Sequence, residues 1–255
     1  MPTFGNCASA RVVVLSIGQH SRSNIHIDLW NGTGAEMVTT NRDESESIIW
    51  HFDLISPFSY LALPAVEALA RRHSVSFRPV LLGVLLTHWG NTGNAEIESK
   101  RLHTYRLCHF LAEQRRVHMR FPPRHPFLSL PAQRLISALG AEPDAVRAAF
   151  DFVWHEGRDP SDPGELAALC ARLDVADYAA LIETRNARST LRAANDAAIA
   201  AGVFGVPTLL IGRELFWGLD AMPLAEAYLR DPDLFGRGEM ARLKTLPVGV
   251  TRGVN

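Results

Sequence analysis

The chain has 255 residues, enough for one large domain or two modest ones with a hydrophobic core of native size. Its 26 basic and 27 acidic residues give a net charge of −1, which argues against a nucleic-acid-binding field and against a basic membrane-surface patch. Apolar runs stay shorter than the ~18 residues of a membrane span. We therefore expect no nucleic-acid partner and no membrane partner.

Residues 1–45 differ from the rest of the sequence. Ser, Thr, Asn and Gly surround isolated apolar pieces there, and neither strand nor helix periodicity persists. Residues 12–18 are too short for the apolar region of a signal peptide, and no small-residue cleavage site follows closely. We predict a poorly structured N-terminal extension, a true start at Met37, and a cytoplasmic protein.

The stretch IIWHFDLISPFSY, residues 48–60, predicts a strand that leads directly into a helix. Ser56 suits the N-cap, where its oxygen accepts a backbone N–H, and Pro57 suits the first helical position, which needs no donor. The Ser56 hydroxyl is thereby predicted at the positive end of a helix over residues 58–72, where anions are stabilised. Taken alone, the same pair is also an ordinary helix cap.

The remaining elements predict an α/β protein with a helical insertion. A second strand over residues 75–82 completes a parallel β-α-β unit with a right-handed crossover. Two short apolar runs, 208–211 and 214–217, predict an antiparallel hairpin, and a helix over 221–230 follows. Helical periodicity fills the space between, with Pro and Gly at its boundaries. Helices are predicted there over residues 97–116, 131–139, 144–155, 164–173, 178–184 and 189–201.

This order of elements divides the sequence into two predicted domains. The α/β domain is discontinuous and takes residues 46–83 and 202–232. The inserted helical domain takes residues 84–201. A loose C-terminal tail over residues 233–255 is predicted because Gly and Pro occur there with little apolar pattern.

The element order, with Val206-Pro207 just before the third strand, resembles the thioredoxin superfamily. In its redox members a C-x-x-C motif opens the first helix and faces a cis-proline. Here the motif is Ser56-Pro57-Phe58-Ser59, which excludes dithiol–disulfide exchange at this site because that chemistry needs a thiolate. The resemblance implies a cis Val206-Pro207 bond, whereas a proline at a strand start is ordinarily trans.

Three segments resemble more specifically the 2-hydroxychromene-2-carboxylate isomerases and their relatives, the kappa-class glutathione transferases. They are HFDLISPFSYLA, GVFGVPTLLIG and LFWGLDAM, and the resemblance spans residues 48–230. It implies that Ser56 contacts the sulfur of bound glutathione. It also implies that Val206, before Pro207, pairs with the tripeptide like an added strand, and that Leu219 and Asp220 bind its γ-glutamyl end.

Four further candidates lie between the second strand and the next long helix. Asn91 and Lys100 match the kappa-class pattern for residues that hold glutathione. Asn91 also suits a plain turn between glycines, and Lys100 also suits a solvated surface charge. His88 and Trp89 are candidates for the acceptor pocket, with packing on their own subdomain as the alternative for Trp89.

The sequence departs from the family pattern at two positions. Ala221 follows Asp220 where the family often has arginine, which affects binding of the γ-glutamyl carboxylate of glutathione. Leu128 stands where many relatives have asparagine, which affects the orientation of the substrate.

Cysteine and histidine patterns indicate neither a disulfide framework nor a metal site. Cys7, Cys108 and Cys170 are odd in number and far apart, and the last two are predicted as inert core residues. The histidines around residues 103–118 do not place three ligands on one helix face together with Cys108. Trp154, in VWHEGRD, is interpreted as a core residue.

The resemblance implies a homodimeric enzyme that acts on a 2-hydroxychromene-2-carboxylate-like aromatic acid with glutathione. A free thiol with a pKa near 8.5 is only a few per cent ionised at neutral pH, and a serine hydrogen bond at a helix N-terminus lowers that pKa. The thiolate then adds to the substrate, permits rotation about the bond made single, and leaves unchanged. Two alternatives stay open: a kappa-type transferase or peroxidase that consumes glutathione, and a non-catalytic thioredoxin-fold binding protein.

Overall fold

The structure is a computed structural model that describes residues 47–183 and 185–250. Its sheet has four strands: β1 (Ile48–Phe52), β2 (Val75–Pro79), β3 (Thr208–Ile211) and β4 (Glu214–Trp217). The strand order is β2-β1-β3-β4. β1 and β2 are parallel, while β3 is antiparallel to β1 and to β4, which confirms the predicted crossover pair and hairpin. The predicted extension over residues 1–45, with Met37 and Cys7, lies outside the described residues.

Helices α2 to α8 all lie between β2 and β3 in the sequence, which confirms the α/β class with a helical insertion. None of the helices within the described ranges is both long and apolar enough to span a membrane. A π-helical turn, Asp151–His155, follows α5, and a 3-10 turn, Leu234–Gly236, precedes α10. The helices are α1 (Pro57–Ala70), α2 (Leu82–His88), α3 (Glu98–Arg115), α4 (Leu130–Ala138), α5 (Pro143–Phe150), α6 (Pro163–Arg172), α7 (Tyr178–Glu183), α8 (Arg185–Ala200), α9 (Met222–Arg230) and α10 (Gly238–Leu243).

An aromatic cluster on one face of the sheet forms the centre of the core. Trp50 stacks on Phe52 with ring centroids 4.7 Å apart, and meets Phe77 edge-on at 5.2 Å. Phe150, at the end of α5, lies 6.0 Å from Trp50. Because large aromatic side chains bury the most apolar surface per residue, this cluster anchors α5 to β1.

The second strand is shorter than predicted, and the difference has a physical cause. The sequence predicted a strand over residues 75–82, but β2 ends at Pro79 and α2 begins at Leu82. The N–H of Leu82 donates to the carboxylate of Asp53 at 2.8 Å instead of to a neighbouring strand. A buried side-chain acceptor thus turns the chain out of the sheet and into a helix.

Two other segments differ from the sequence pattern. The helix predicted over residues 144–155 changes to π-helical geometry after Phe150, and the three consecutive residues 152–154 are all buried. One stripe of a regular α-helix does not bury three residues in a row. The tail contains regular structure that its composition did not indicate, because Phe235 stacks on Tyr228 with ring centroids 5.1 Å apart and α10 follows.

Candidate functional site

The end of β1 and the start of β3 meet at one edge of the sheet. The two strands are antiparallel with His51 opposite Thr208, so the register places Val206 and Pro207 just beyond the last residues of β1. Ser56 follows β1 by four residues. The Val206-Pro207 peptide bond is cis, which confirms what the resemblance implied.

The turn after β4 reaches the same edge. The N–H of Gly218 donates to the carbonyl of Pro207 at 2.8 Å. Gly218 has φ +97°, and a Cβ there would lie 2.5 Å from Oδ1 of Asp220, so the turn requires glycine. Leu219 is buried and Asp220 is exposed. The structure therefore brings five of the predicted site residues to one edge of the sheet: Ser56, Val206, Pro207, Leu219 and Asp220.

Ser56 is the N-cap of α1, as predicted. Its Oγ accepts the N–H of Ser59 at 3.2 Å, and Pro57 occupies the first helical position. Accepting this hydrogen bond uses a lone pair of Oγ and not the hydroxyl proton, so the proton of Ser56 is available for donation. The side chain is 4% exposed and lies at the positive end of a 14-residue helix, where an anionic acceptor is stabilised.

Side chains from the helical insertion bind the backbone carbonyls that lead to Ser56. Nε2 of Gln133, on α4, donates to the carbonyls of Phe52 at 3.1 Å and Val80 at 2.7 Å. Nε1 of Trp154, in the π-helical turn, donates to the carbonyl of Leu54 at 2.8 Å. Both donors are fully buried, so neither loses its partner to water.

The peptide bond that precedes Ser56 is held at both ends. Nε2 of His125 lies 2.8 Å from the carbonyl oxygen of Ile55, and the N–H of Ser56 donates to the carbonyl of Asp53 at 3.0 Å. The turn that carries Ser56 is thus fixed largely by the insertion and not only by the sheet. We refer to the three donors from the insertion as the carbonyl clamp: His125, Gln133 and Trp154.

Asp53 is a buried carboxylate that joins this turn to two helices. Its Oδ1 accepts the N–H of Ile55 at 3.1 Å, and its Oδ2 accepts the N–H of Leu82 at 2.8 Å. Burial raises the pKa of Asp53 to about 6, while the hydrogen bonds from Leu82, Ile55 and Ser129 act in the opposite direction. Asp53 therefore holds the starts of α2 and α4 against the turn that carries Ser56.

We expect Asp53 to make folding less favourable as the pH rises. Its folded pKa of about 6 exceeds the usual 3.8, so the folded state binds the proton between these values and the unfolded state does not. The stabilisation is complete below about pH 4 and is lost as the pH rises through 6, a change of about 3 kcal/mol. The Asp53→Asn variant lacks this titration. The free energy of unfolding of wild type minus that of the variant should therefore fall by about 2–3 kcal/mol between about pH 4 and pH 7 in urea titrations. A constant difference would contradict the assignment.

Trp89 joins the end of α2 to the loop before the cis-proline. Its Nε1 donates to the carbonyl of Val203 at 2.9 Å, while the residue is 47% exposed. His88 meets it edge-on with ring centroids 5.0 Å apart. The hydrogen bond to the loop over residues 203–207 connects Trp89 to the α/β part of the chain, and not to the insertion alone.

Asn91 and Lys100 are both exposed side chains of the helical insertion. Asn91 follows the positive-φ residue Gly90, and its Oδ1 accepts the N–H of Thr92 at 2.9 Å, which is turn geometry. Lys100 lies in the first turn of α3 and is exposed. Their roles in holding glutathione stay predictions.

Sequence reasoning missed four residues that shape the site: Asp53, His125, Gln133 and, in this role, Trp154. A signal was present for two of them. Asp53 interrupts the apolar run around it, and Gln133 lies on the buried stripe of α4, where an uncharged amide requires hydrogen-bond partners. The partners themselves are distant in sequence, and no local pattern identifies them.

The two cysteines in the described ranges are free and buried, as predicted. Burial raises the pKa of the Cys108 thiol to about 12 and also raises the pKa of Cys170. Neither thiol is therefore a nucleophile at neutral pH. Within residues 47–183 and 185–250, the His, Cys, Asp and Glu side chains form no group of three that could hold a metal ion.

Comparison with known proteins shows the family of the chain. The model of the DSBA-like thioredoxin domain matches residues 47–230. A 2-hydroxychromene-2-carboxylate isomerase of Sphingobium xenophagum is 30% identical over 195 residues, which are 73% of this chain and 100% of that protein. The chain belongs to the 2-hydroxychromene-2-carboxylate isomerase family, within the DSBA-like thioredoxin proteins.

Two further relatives extend the comparison. A protein of the same name from Pseudomonas putida is 27% identical over 185 residues, 70% of this chain and 91% of that one. A solved structure of a 2-hydroxychromene-2-carboxylate isomerase superimposes with a TM-score of 0.63 at 25% identity, and covers 78% of this chain and 97% of its own. The family match begins one residue before β1 and ends with the last residue of α9, so it includes every element that builds the site.

Proposed function

We propose that the protein is a glutathione-dependent isomerase of 2-hydroxychromene-2-carboxylate-like aromatic acids. The observation that carries the proposal is the placement of Ser56. Its hydroxyl retains a proton for donation at the N-terminus of α1, and it lies at the edge of the sheet that also holds the cis-proline. Relatives that bear this name support the reaction class.

The residues at the edge fit glutathione in chemistry. Ser56 offers a hydroxyl donor and a helix N-terminus to a thiolate. Val206 offers the backbone of an extended segment before Pro207, on which a tripeptide pairs as an added strand. Asp220 is exposed and so accepts the ammonium group of the γ-glutamyl end, while Ala221 provides no cation for its carboxylate.

In this proposal glutathione supplies, when bound, a thiolate that adds to the unsaturated acid and leaves after rotation about the bond that addition makes single. Ser56 lowers the pKa of the thiol by donating a hydrogen bond to sulfur, and each unit of that shift corresponds to about 1.4 kcal/mol. The carbonyl clamp keeps this donor fixed, so that little reorganisation accompanies the reaction. Cys108 and Cys170 take no part, because both are buried and protonated.

The test is to incubate the purified protein with 2-hydroxychromene-2-carboxylate, with and without glutathione. We expect isomerisation that requires glutathione and leaves its total concentration constant. Depletion of glutathione in proportion to turnover would instead show a transferase or peroxidase. Binding of glutathione without turnover would indicate a binding protein and contradict the proposal.

A further inference from the structure

We propose that Tyr105 and His125, both in the helical insertion, are positioning residues that set the direction of the Ser56 hydroxyl. The inference rests on the proposed function, because it assigns these residues a role in the same site. Neither residue belongs to the motifs that identify the family. Their effect passes through one peptide bond, the bond between Ile55 and Ser56.

The hydrogen bonds of His125 determine its tautomer. Its Nε2 lies 2.8 Å from the carbonyl oxygen of Ile55, so Nε2 carries the proton, since two acceptors do not approach so closely. Burial lowers the pKa of His125, which keeps the ring neutral at neutral pH and leaves Nδ1 as an acceptor. The hydroxyl of Tyr105 lies 2.7 Å from that Nδ1 and 2.7 Å from the carbonyl oxygen of His125. Both atoms are acceptors, so the hydroxyl shares its one proton between them, and through it Tyr105 positions His125.

The contact between His125 and Ile55 fixes the plane of a peptide unit and not only the position of one atom. A peptide unit is rigid, so the carbonyl of Ile55 and the N–H of Ser56 move together. His125 holds the oxygen end, and the carbonyl of Asp53 accepts the N–H end at 3.0 Å. The carbonyl of Ser56 accepts the N–H of Tyr60 at 3.2 Å, so the peptide units on both sides of Ser56 are held and its Cα–Cβ bond has a defined direction. The N–H of Ser59 then fixes the hydroxyl oxygen.

Aromatic neighbours prevent the His125 ring from swinging away. Its centroid lies 5.5 Å from that of Trp154 and 6.0 Å from that of Phe121, both edge-on. Tyr105 lies 4.6 Å from Phe121. The ring nitrogens of His125 are engaged by Ile55 and Tyr105, so they have no hydrogen-bonding capacity left for a ligand. The two residues therefore act through Ser56 and are not catalytic themselves.

The test uses variants that separate the hydrogen bond from the packing. His125→Phe keeps an aromatic ring but removes the donor to Ile55, whereas His125→Gln restores an N–H near the position of Nε2. Tyr105→Phe removes only the hydroxyl. The matched control is Tyr178→Phe, which removes a hydroxyl that donates to the carbonyl of Pro131 at 3.1 Å, elsewhere in the insertion.

Two quantities are measured for each variant: the pKa of the thiol of bound glutathione, from its ultraviolet thiolate absorbance, and kcat with the chromene acid. For His125→Phe we expect the thiol pKa to rise by about one unit and kcat at neutral pH to fall about tenfold, the effect of one displaced hydrogen bond. His125→Gln should restore most of the lowering of the thiol pKa and most of kcat. In both quantities Tyr105→Phe should lie between His125→Phe and wild type. Tyr178→Phe should match wild type in both. Thermal unfolding of all four variants shows whether each one folds.

The outcomes separate this inference from the proposed function. If wild type lowers the thiol pKa and folded His125→Phe lowers it equally, the positioning role is wrong while the proposed function stands. If Tyr178→Phe shifts the thiol pKa as much as Tyr105→Phe, the effect is general loosening and the inference is again wrong. If wild type itself does not bind glutathione, the proposed function fails first.

Discussion

Replacing Ser56 by alanine should lower kcat for glutathione-dependent isomerisation by roughly one to three orders of magnitude, the loss of one hydrogen bond directed at a charge. The change removes the hydroxyl that, in the proposed function, donates to the thiolate of glutathione. It also removes the acceptor for the N–H of Ser59, so we expect α1 to lose about 1 kcal/mol of stability. Steady-state kinetics at saturating glutathione, with unfolding curves in parallel, separate the two effects.

Ser59→Ala is the matched control for this variant. Ser59 lies one turn along the same helix, is fully buried, and its hydroxyl has no hydrogen-bond partner among the described residues. Alanine keeps the backbone N–H that holds Ser56 in place. We expect kcat within about twofold of wild type and equal or higher stability, since an unpaired buried hydroxyl is unfavourable. Equal losses in the two variants, or an unchanged rate for Ser56→Ala, would remove Ser56 from the mechanism.

Replacing Trp154 by alanine should lower the free energy of unfolding by about 3–5 kcal/mol, because it empties a fully buried site. The indole also donates to the carbonyl of Leu54 at 2.8 Å and meets the rings of Phe121 and His125. Its loss leaves a cavity and a buried carbonyl without its donor. The free energy of unfolding in urea measures the effect.

Another tryptophan of the same chain provides the control. Trp217 is 51% exposed at the end of β4, where it contacts Phe204. Trp217→Ala removes the same side chain from a half-solvated position, and we expect a loss of about 1 kcal/mol or less. Similar losses in the two variants would show that Trp154 contributes to the core no more than a surface residue does.

Local signals in the sequence were enough to predict the strands of the hairpin and the cap of α1. β3 and β4 have the predicted bounds because the two short apolar runs and the Gly212 turn lie within a few residues of one another. The N-cap was predictable because Ser56 bonds to a residue three positions away. The cis bond before Pro207 came from the resemblance and not from any local rule.

The carbonyl clamp was not predictable, because each of its contacts links residues far apart in the chain. His125 binds a carbonyl 70 residues earlier, Gln133 binds one 81 residues earlier, and Trp154 binds one 100 residues earlier. The strand predicted to reach residue 82 failed for the same reason, because the side chain of Asp53 ends it from 29 residues away. Periodicity identified the helical segments that carry Gln133 and Trp154 without showing which carbonyls these side chains reach.

The carbonyl clamp has a consequence for engineering. If the serine motif is transplanted into a thioredoxin scaffold without the insertion, the scaffold gains the hydroxyl proposed to activate glutathione. It lacks the contacts that align this hydroxyl, so it should be a weak catalyst. In the proposed function the helical insertion thus governs the rate by aligning a serine that lies outside it in the sequence.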